Sequence, residues 1–394
     1  MTSTGPEQTP GTPDPQVPAA GSPAAAPAPQ VPAEWAWARP QPTLRTVETE
    51  PLAYHRLLRG TANYRWWKPL LLLLLAGVYF GVFTVVVTVA MIPLLLAFDP
   101  EYLTDVAADP NAALDTQRPL SVLLSMLSII VMIPSVVLAV LSMGMRPVGR
   151  VWSVAGRIRW GFFARLLGAA LLGVIAMNVV GIGIGFAMDP GALTEPPPET
   201  GGDYRLSAAI FSLVLVILLV PFQATAEELV FRGLFMQVLG SWLRSPWFGI
   251  LIPTVGFALA HIYDVWGLAA VGLMGGVAAW LSWRTGGLEA AMAIHIVNNL
   301  IAFGFMVFAF GGETAQTSDA GGPEGVVGEI VGLALFAWLA LRIMRRGGHG
   351  RERIDLIQVP DPTVVAAAPA TPGIPAAPGS PGSPGSSGAE EPRA

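Results

Sequence analysis

The sequence predicts an all-α protein, a polytopic integral membrane helix bundle with about eight transmembrane helices. Three observations predict it. Hydrophobic residues make up 53% of the 394 positions and charged residues only 12%, and the mean hydropathy is +0.57, far more apolar than soluble domains. Apolar runs of the roughly 20 residues that cross a bilayer recur along the chain. Basic residues collect in alternate connections between those runs. The same composition excludes other classes. Zero cysteines exclude disulfides and thiolate metal sites, and a net charge of −5 leaves no basic excess for a nucleic-acid partner.

Residues 1–45 are rich in proline and alanine, and no apolar stretch follows a basic start. They read as a disordered cytoplasmic tail, neither signal peptide nor anchor. Residues 350–394, rich in proline, glycine and serine, read the same way. Between them, 60–345 form the membrane domain. Its spans are expected at about 69–97, 119–144, 161–188, 206–225, 246–262, 265–283, 287–310 and 325–343. The fifth and sixth, the shortest, also read as a hairpin that dips into the bilayer without crossing it; an even count survives either way. Of the 22 basic residues, only Arg118 and Arg205 fall in the connections on one side, where Asp99, Glu101, Asp105, Asp109, Asp115, Asp189, Glu195, Glu199 and Asp203 gather. The basic side is the cytoplasmic one, so both termini are expected there. Gly272 with Gly276, and the run Gly181, Gly183 and Gly185, read as helix-packing positions.

Polar groups within spans are costly and mark candidate sites. They concentrate in three places: Glu227, Glu228 and Arg232 at the end of span four, His261 at the end of span five, and His295, Asn298 and Asn299 in span seven. Glu228 and Arg232 are four residues apart, on one helix face, and suit an ion pair. Glu227 points about 100° away, free to act as a general base. His295 and Asn299, also four apart, can aim two donors at one point, as an oxyanion requires. Taken singly, each group has a structural reading: interfacial glutamates, a packing histidine, a polar patch that glues helices.

Together, Glu227-Glu228-Leu-Val-Phe-Arg232, Phe257-Ala-Leu-Ala-His261 and His295-Ile-Val-Asn-Asn299 match the patterns E-E-x-x-x-R, F-x-x-x-H and H-x-x-x-N. In that order they resemble the CPBP family of intramembrane proteases, also called the Abi or CAAX-protease family, which includes the eukaryotic enzymes that trim prenylated CAAX proteins. The turn Trp283-Arg284-Thr285-Gly286 is also similar to the family. The motif core is 206–310. The resemblance implies an endopeptidase acting on a membrane protein or peptide within the lipid bilayer. Glu227 and His261 would activate water, His295 and Asn299 would stabilise the oxyanion, and Glu228 and Arg232 would hold the helix. No cofactor is required on the favoured reading. The other reading places one divalent metal, zinc, on Glu227, His261 and His295, although the H-E-x-x-H spacing is absent. Convergence of these groups needs span four to continue past 225 toward Gly240, leaving Glu227 about 20 Å from its cytoplasmic end.

Ser/His and aspartyl intramembrane mechanisms lack their motifs here. A transporter would show internal repeats and a continuous polar path; the chain shows neither. A non-proteolytic immunity or scaffold protein that keeps the family fold is the alternative from another class. The expected location is a bacterial-type plasma membrane.

Overall fold

Inside a bilayer the backbone has no water to bond, so a long apolar run satisfies its own amides as a helix. The computed structural model describes residues 43–108, 113–193, 204–310, 312–318 and 321–361. The chain divides into two units, Arg45–Val359 and a second made of Met1–Leu44 with Pro360–Ala394; the helical bundle belongs wholly to the first. Most of the two expected tails, 1–42 and 362–394, lies outside the described residues.

The elements, in chain order, are β1 (Leu44–Glu48), β2 (Leu52–Ala53), a 3₁₀ segment (Tyr54–Gly60), α1 (Lys68–Phe98), α2 (Tyr102–Ala108), α3 (Pro119–Ile130), α4 (Met132–Ser142), α5 (Trp160–Met188), α6 (Leu206–Glu228), a π-helical segment (Leu229–Phe235), α7 (Met236–Trp242), α8 (Pro246–Leu259), α9 (Val265–Thr285), α10 (Glu289–Val307), α11 (Pro323–Gly347), β3 (Glu352–Arg353) and β4 (Leu356–Pro360). α3 and α4 form one expected span with a break at Val131. Pro134 explains the break, since it cannot donate to the carbonyl of Ile130. α6, the π segment and α7 run on as one rod of 37 residues. Span four therefore continues well past 225, as convergence requires. Its polar stretch from Gln223 to Gln237 hides the continuation from a hydropathy reading.

Among the described residues, seven helical stretches are long and apolar enough to cross a membrane, and α8 is a shorter apolar helix of 14 residues. At 1.5 Å per residue α8 covers about 21 Å of a hydrocarbon layer about 30 Å thick. It nevertheless joins opposite faces. On one face, β2 pairs antiparallel with β3, Arg59 and Tyr64 donate to the Ser241 carbonyl, and Val154 N–H donates to the Gly286 carbonyl. On the other, Thr116 bonds Thr314, Gln316 bonds Leu114 and Asp264 bonds Ser318, all through backbone groups. α8 leaves the first face just after Trp242 and delivers Asp264 to the second. With α8 the chain makes eight traverses and returns to the face from which it started. The two segments flanking the bundle are stitched together there, Thr49 N–H donating to the Asp355 carbonyl and Asp355 N–H to Thr49 Oγ1, and Asp355 also pairs with Arg353 and with Arg150 of the α4–α5 connection, at 2.6 and 2.5 Å. β3 and β4 thus give structure to residues 352–360, which the sequence reading assigned to the tail.

Lipid is the solvent these helices require. α1 exposes Leu74, Val78, Val82, Val85 and Val89 along much of its length, a patch that would drive aggregation in water. The protein is an integral membrane protein. Without a hydrophobic drive between helices in lipid, close approach relies on small residues. A tight seam joins α5 to α11: a Cβ on Gly328 would run into the Met177 carbonyl oxygen, and one on Gly332 would come within 2.5 Å of that of Gly173. Gly181 belongs to this seam, while Gly183 faces open space.

Candidate active site

The α6–α7 rod widens at the motif that carries its charges. Single π turns inside α-helices are rare and recur at functional sites; here the π segment begins one residue after Glu228. Gly233 lets this swollen stretch lie against the loop before α5, since a Cβ there would stand 3.1 Å from the Val151 carbonyl oxygen.

Glu228 and Arg232 pair as their spacing predicts, Nη1 to Oε1 at 2.9 Å, and both are essentially inaccessible. The guanidinium lies over the Phe257 ring, with Cζ 4.2 Å from its centroid, a favourable cation–π placement in a dry site. Gly275 of α9 provides the space: a Cβ there would meet Arg232 Nη2 at 2.7 Å and Phe257 Cδ1 at 3.1 Å. Gly272 and Gly276, the pair the sequence suggests, would make only ordinary contacts at 3.9 and 3.8 Å. Gly275→Ala is accordingly expected to cost about 1–3 kcal/mol through overpacking, read as a lowered unfolding temperature in detergent; Gly276→Ala should be nearly silent in the same measurement.

His295 joins the charged pair from α10. Its Nδ1 lies 2.7 Å from Glu228 Oε1, the oxygen that also accepts from Arg232. The acceptor-only carboxylate makes Nδ1 the donor. Nε2 then faces the second glutamate, 3.5 Å from Glu227 Oε2. The other oxygen of Glu227, Oε1, accepts from Gln223 Nε2 at 2.7 Å, and Gln223 Oε1 accepts from Asn299 Nδ2 at 3.2 Å. Glu227 Oε2 is buried with no hydrogen-bond partner among the described residues. Six of the seven residues singled out from the sequence, Glu227, Glu228, Arg232, His295, Asn298 and Asn299, therefore form one bonded cluster through Gln223.

His261 stands one step away. It follows the end of α8, its Nδ1 donates to the Phe257 carbonyl at 2.8 Å, and its ring lies 4.9 Å from that of Phe257. Phe257 in turn meets His295 edge-on at 5.8 Å, so the two histidines flank one aromatic ring. Donation to a carbonyl fixes the proton on Nδ1 and leaves Nε2 of the neutral ring a lone pair. The ring of His261 also stacks on Tyr263. Burial raises the Tyr263 phenol above its usual value, the hydrogen bond from Gln316 opposes this, and the charge of Glu227 adds to the rise.

The description "Type II CAAX prenyl endopeptidase Rce1-like" matches residues 208–301. That stretch contains Glu227, Glu228, Arg232, His261, His295 and Asn299, in the order the motifs require. Over this stretch the chain is similar to the CPBP family. A curated relative, the uncharacterized protein YyaK of Bacillus subtilis (strain 168), is 27% identical over 175 residues, which are 43% of this chain and 55% of that protein. The chain thus spans about half the length of the curated relative it matches. No solved structure matches it. At family level the match is to CAAX-type intramembrane proteases, which act on membrane-associated substrates.

The donor set considered for a metal, Glu227, His261 and His295, does not fit one as arranged: no three His, Asp or Glu side chains converge on a metal position among the described residues. The Nδ1 atoms of both histidines donate to protein acceptors, an arrangement that leaves Nε2 as the nitrogen each would offer a metal.

Two contributors to the candidate site, Gln223 and Glu289, escape a reading of charges and motifs, and a third, Gly286, is the last residue of the family-like turn. Gln223 carries no charge, yet its i, i+4 spacing from Glu227 was a usable signal. Glu289 lies at the start of α10 and is gripped by Arg159 in a two-bond fork of 2.8 and 2.7 Å, which seats the helix six residues before His295. Gly286, in the left-handed region at φ 74°, ends α9; glycine tolerates that conformation, and the turn to α10 depends on it. A further carboxyl within a span, Glu329 of α11, lines a separate crevice with Asn178 and Trp266.

Proposed function

We propose that the protein is an intramembrane endopeptidase of the CPBP type, hydrolysing a peptide bond in a membrane-embedded or membrane-proximal protein or peptide with water activated by glutamate and histidine. The observation that carries this is the split environment of Glu227. One oxygen is tied to Gln223, while the other is buried, unbonded and 3.5 Å from His295 Nε2. A carboxylate so held is a base with one direction of action.

Glu227 Oε2 takes a proton from water as the water oxygen attacks the peptide carbonyl carbon. The lone pair on His261 Nε2 accepts the second hydrogen of that water and helps to aim it. With His295 as imidazolium, the two carboxylates, Arg232 and His295 sum to zero charge, which suits a buried cluster. Its Nε2–H, and the Asn299 amide hydrogen not given to Gln223, then donate to the tetrahedral oxyanion. Collapse breaks the C–N bond, and Glu227 returns its proton to the departing amine. Glu228 orients His295 through Nδ1. Arg232 holds Glu228 in place.

Both termini are assigned to the cytoplasmic side of a bacterial plasma membrane. The meeting of the segments flanking the bundle and the concentration of basic residues on one side support that orientation.

The test compares membrane-protein termini by mass spectrometry in cells that carry the wild-type chain or Glu227→Ala at equal membrane levels. New termini seen only with wild type are expected, and they name the substrate. If no terminus differs on overexpression, proteolysis is contradicted and the immunity or scaffold role takes its place.

A further inference from the structure

A primary amide in a membrane span must find partners for both of its ends, and in a packing role the nearest are backbone groups of its own or a neighbouring helix. Gln223, 4% exposed on α6, uses neither. Its Nε2 goes to Glu227 and its Oε1 to Asn299 of α10, the proposed base and a proposed oxyanion donor. The order of the bonds is dictated from one end. Glu227 as a carboxylate only accepts, so the amide nitrogen of Gln223 must face it. The amide oxygen must then face Asn299, whose Nδ2 donates, and Asn299 Oδ1 is left toward Asn298 Nδ2 at 3.4 Å. The polarity of the three amides follows from the acid at the end of the line.

We propose that Gln223 is a positioning residue of the site: its amide ties Glu227 Oε1 to Asn299, leaving Oε2 as the acting oxygen and setting the orientation of the oxyanion donor by the same bond. This rests on the peptidase reading. α6 presents the base and α10 the oxyanion donor, and the Gln223 amide spans the gap between them. Without it, Glu227 can rotate about its last torsion and present either oxygen. The rotation of Asn299 is likewise unconstrained.

Full-length Gln223→Met and Gln223→Glu are compared with wild type in liposomes, using a peptide that spans the cleavage position found by the terminal comparison. Methionine keeps length and removes both bonds. Glutamate keeps shape but puts a second carboxylate against Glu227, where like charges repel. The expected result is a kcat lowered about tenfold to a hundredfold for Met, lower still for Glu, with KM changed by less than about threefold. A packing role predicts the reverse ranking, because glutamate is the closer shape. An independent readout needs no turnover: the infrared carboxyl band of Glu227, identified as the band lost in Glu227→Gln, should shift in Gln223→Met. If wild type cleaves nothing, the peptidase reading fails, and the band alone decides the positioning claim. Wild-type kcat in Gln223→Met, or an unshifted band, overturns it. Should the Met variant not accumulate, Gln223→Glu decides alone: wild-type turnover or an unshifted band in that variant overturns the claim equally.

Discussion

Glu227→Gln is expected to lower kcat by about 10² to 10⁴, the range a positioned general base supplies, with KM changed only a few-fold. The protein should stay folded. Glutamine has the same shape, and its amide oxygen can still accept the bond from Gln223 Nε2 that Glu227 Oε1 accepts now. What is lost is an oxygen able to carry away the proton of water. A parallel fall in kcat and kcat/KM is the signature of a group that acts only in the transition state. A rise in KM alone would make Glu227 a substrate contact instead. The measurement is steady-state cleavage by purified protein in liposomes, with unfolding temperature as the control for folding.

The second large effect concerns stability. Glu228 and Arg232 are a fully buried ion pair, and removing one partner of such a pair typically costs about 3–5 kcal/mol because the other charge is stranded. Arg232→Met should therefore lower the unfolding temperature sharply and reduce accumulation in the membrane. Replacing both residues, Glu228→Leu with Arg232→Met, strands neither charge. The double variant should be more stable than Arg232→Met alone. Activity should not return with stability, because His295 then loses the acceptor that holds its Nδ1. Recovery of both together would assign the pair a purely structural role.

Much of the fold was legible because the bilayer imposes so simple a rule. Residues 68–98 need only be apolar for their whole length, and the even traverse count followed from hydropathy and the distribution of arginine. What was hidden lay where protein, not lipid, surrounds the backbone. Residues 223–237 include Gln223, Glu227, Glu228, Arg232 and Gln237, so hydropathy ends the fourth span too early, although the rod continues to Trp242. Its π turn leaves no mark in composition. For the site, spacing alone placed Glu228 beside Arg232 and brought His295 and Asn299 to one region. Spacing carries no information between helices. It left Glu228 to its arginine alone, whereas the fold gives it His295 as well; the pairing of Glu227 with His261 came from the family resemblance, and the fold sets His295 Nε2 3.5 Å from Glu227. Gln223 went unread because it is uncharged, although its importance comes from the two groups it joins.

The most direct test is cleavage in water enriched in ¹⁸O. Purified wild-type protein in liposomes should convert the membrane peptide into two fragments, with one ¹⁸O atom in the new terminal carboxylate; Glu227→Gln at equal concentration should give almost no labelled product. Equal labelling by the Glu227→Gln variant, or no cleavage by wild type, would contradict the account.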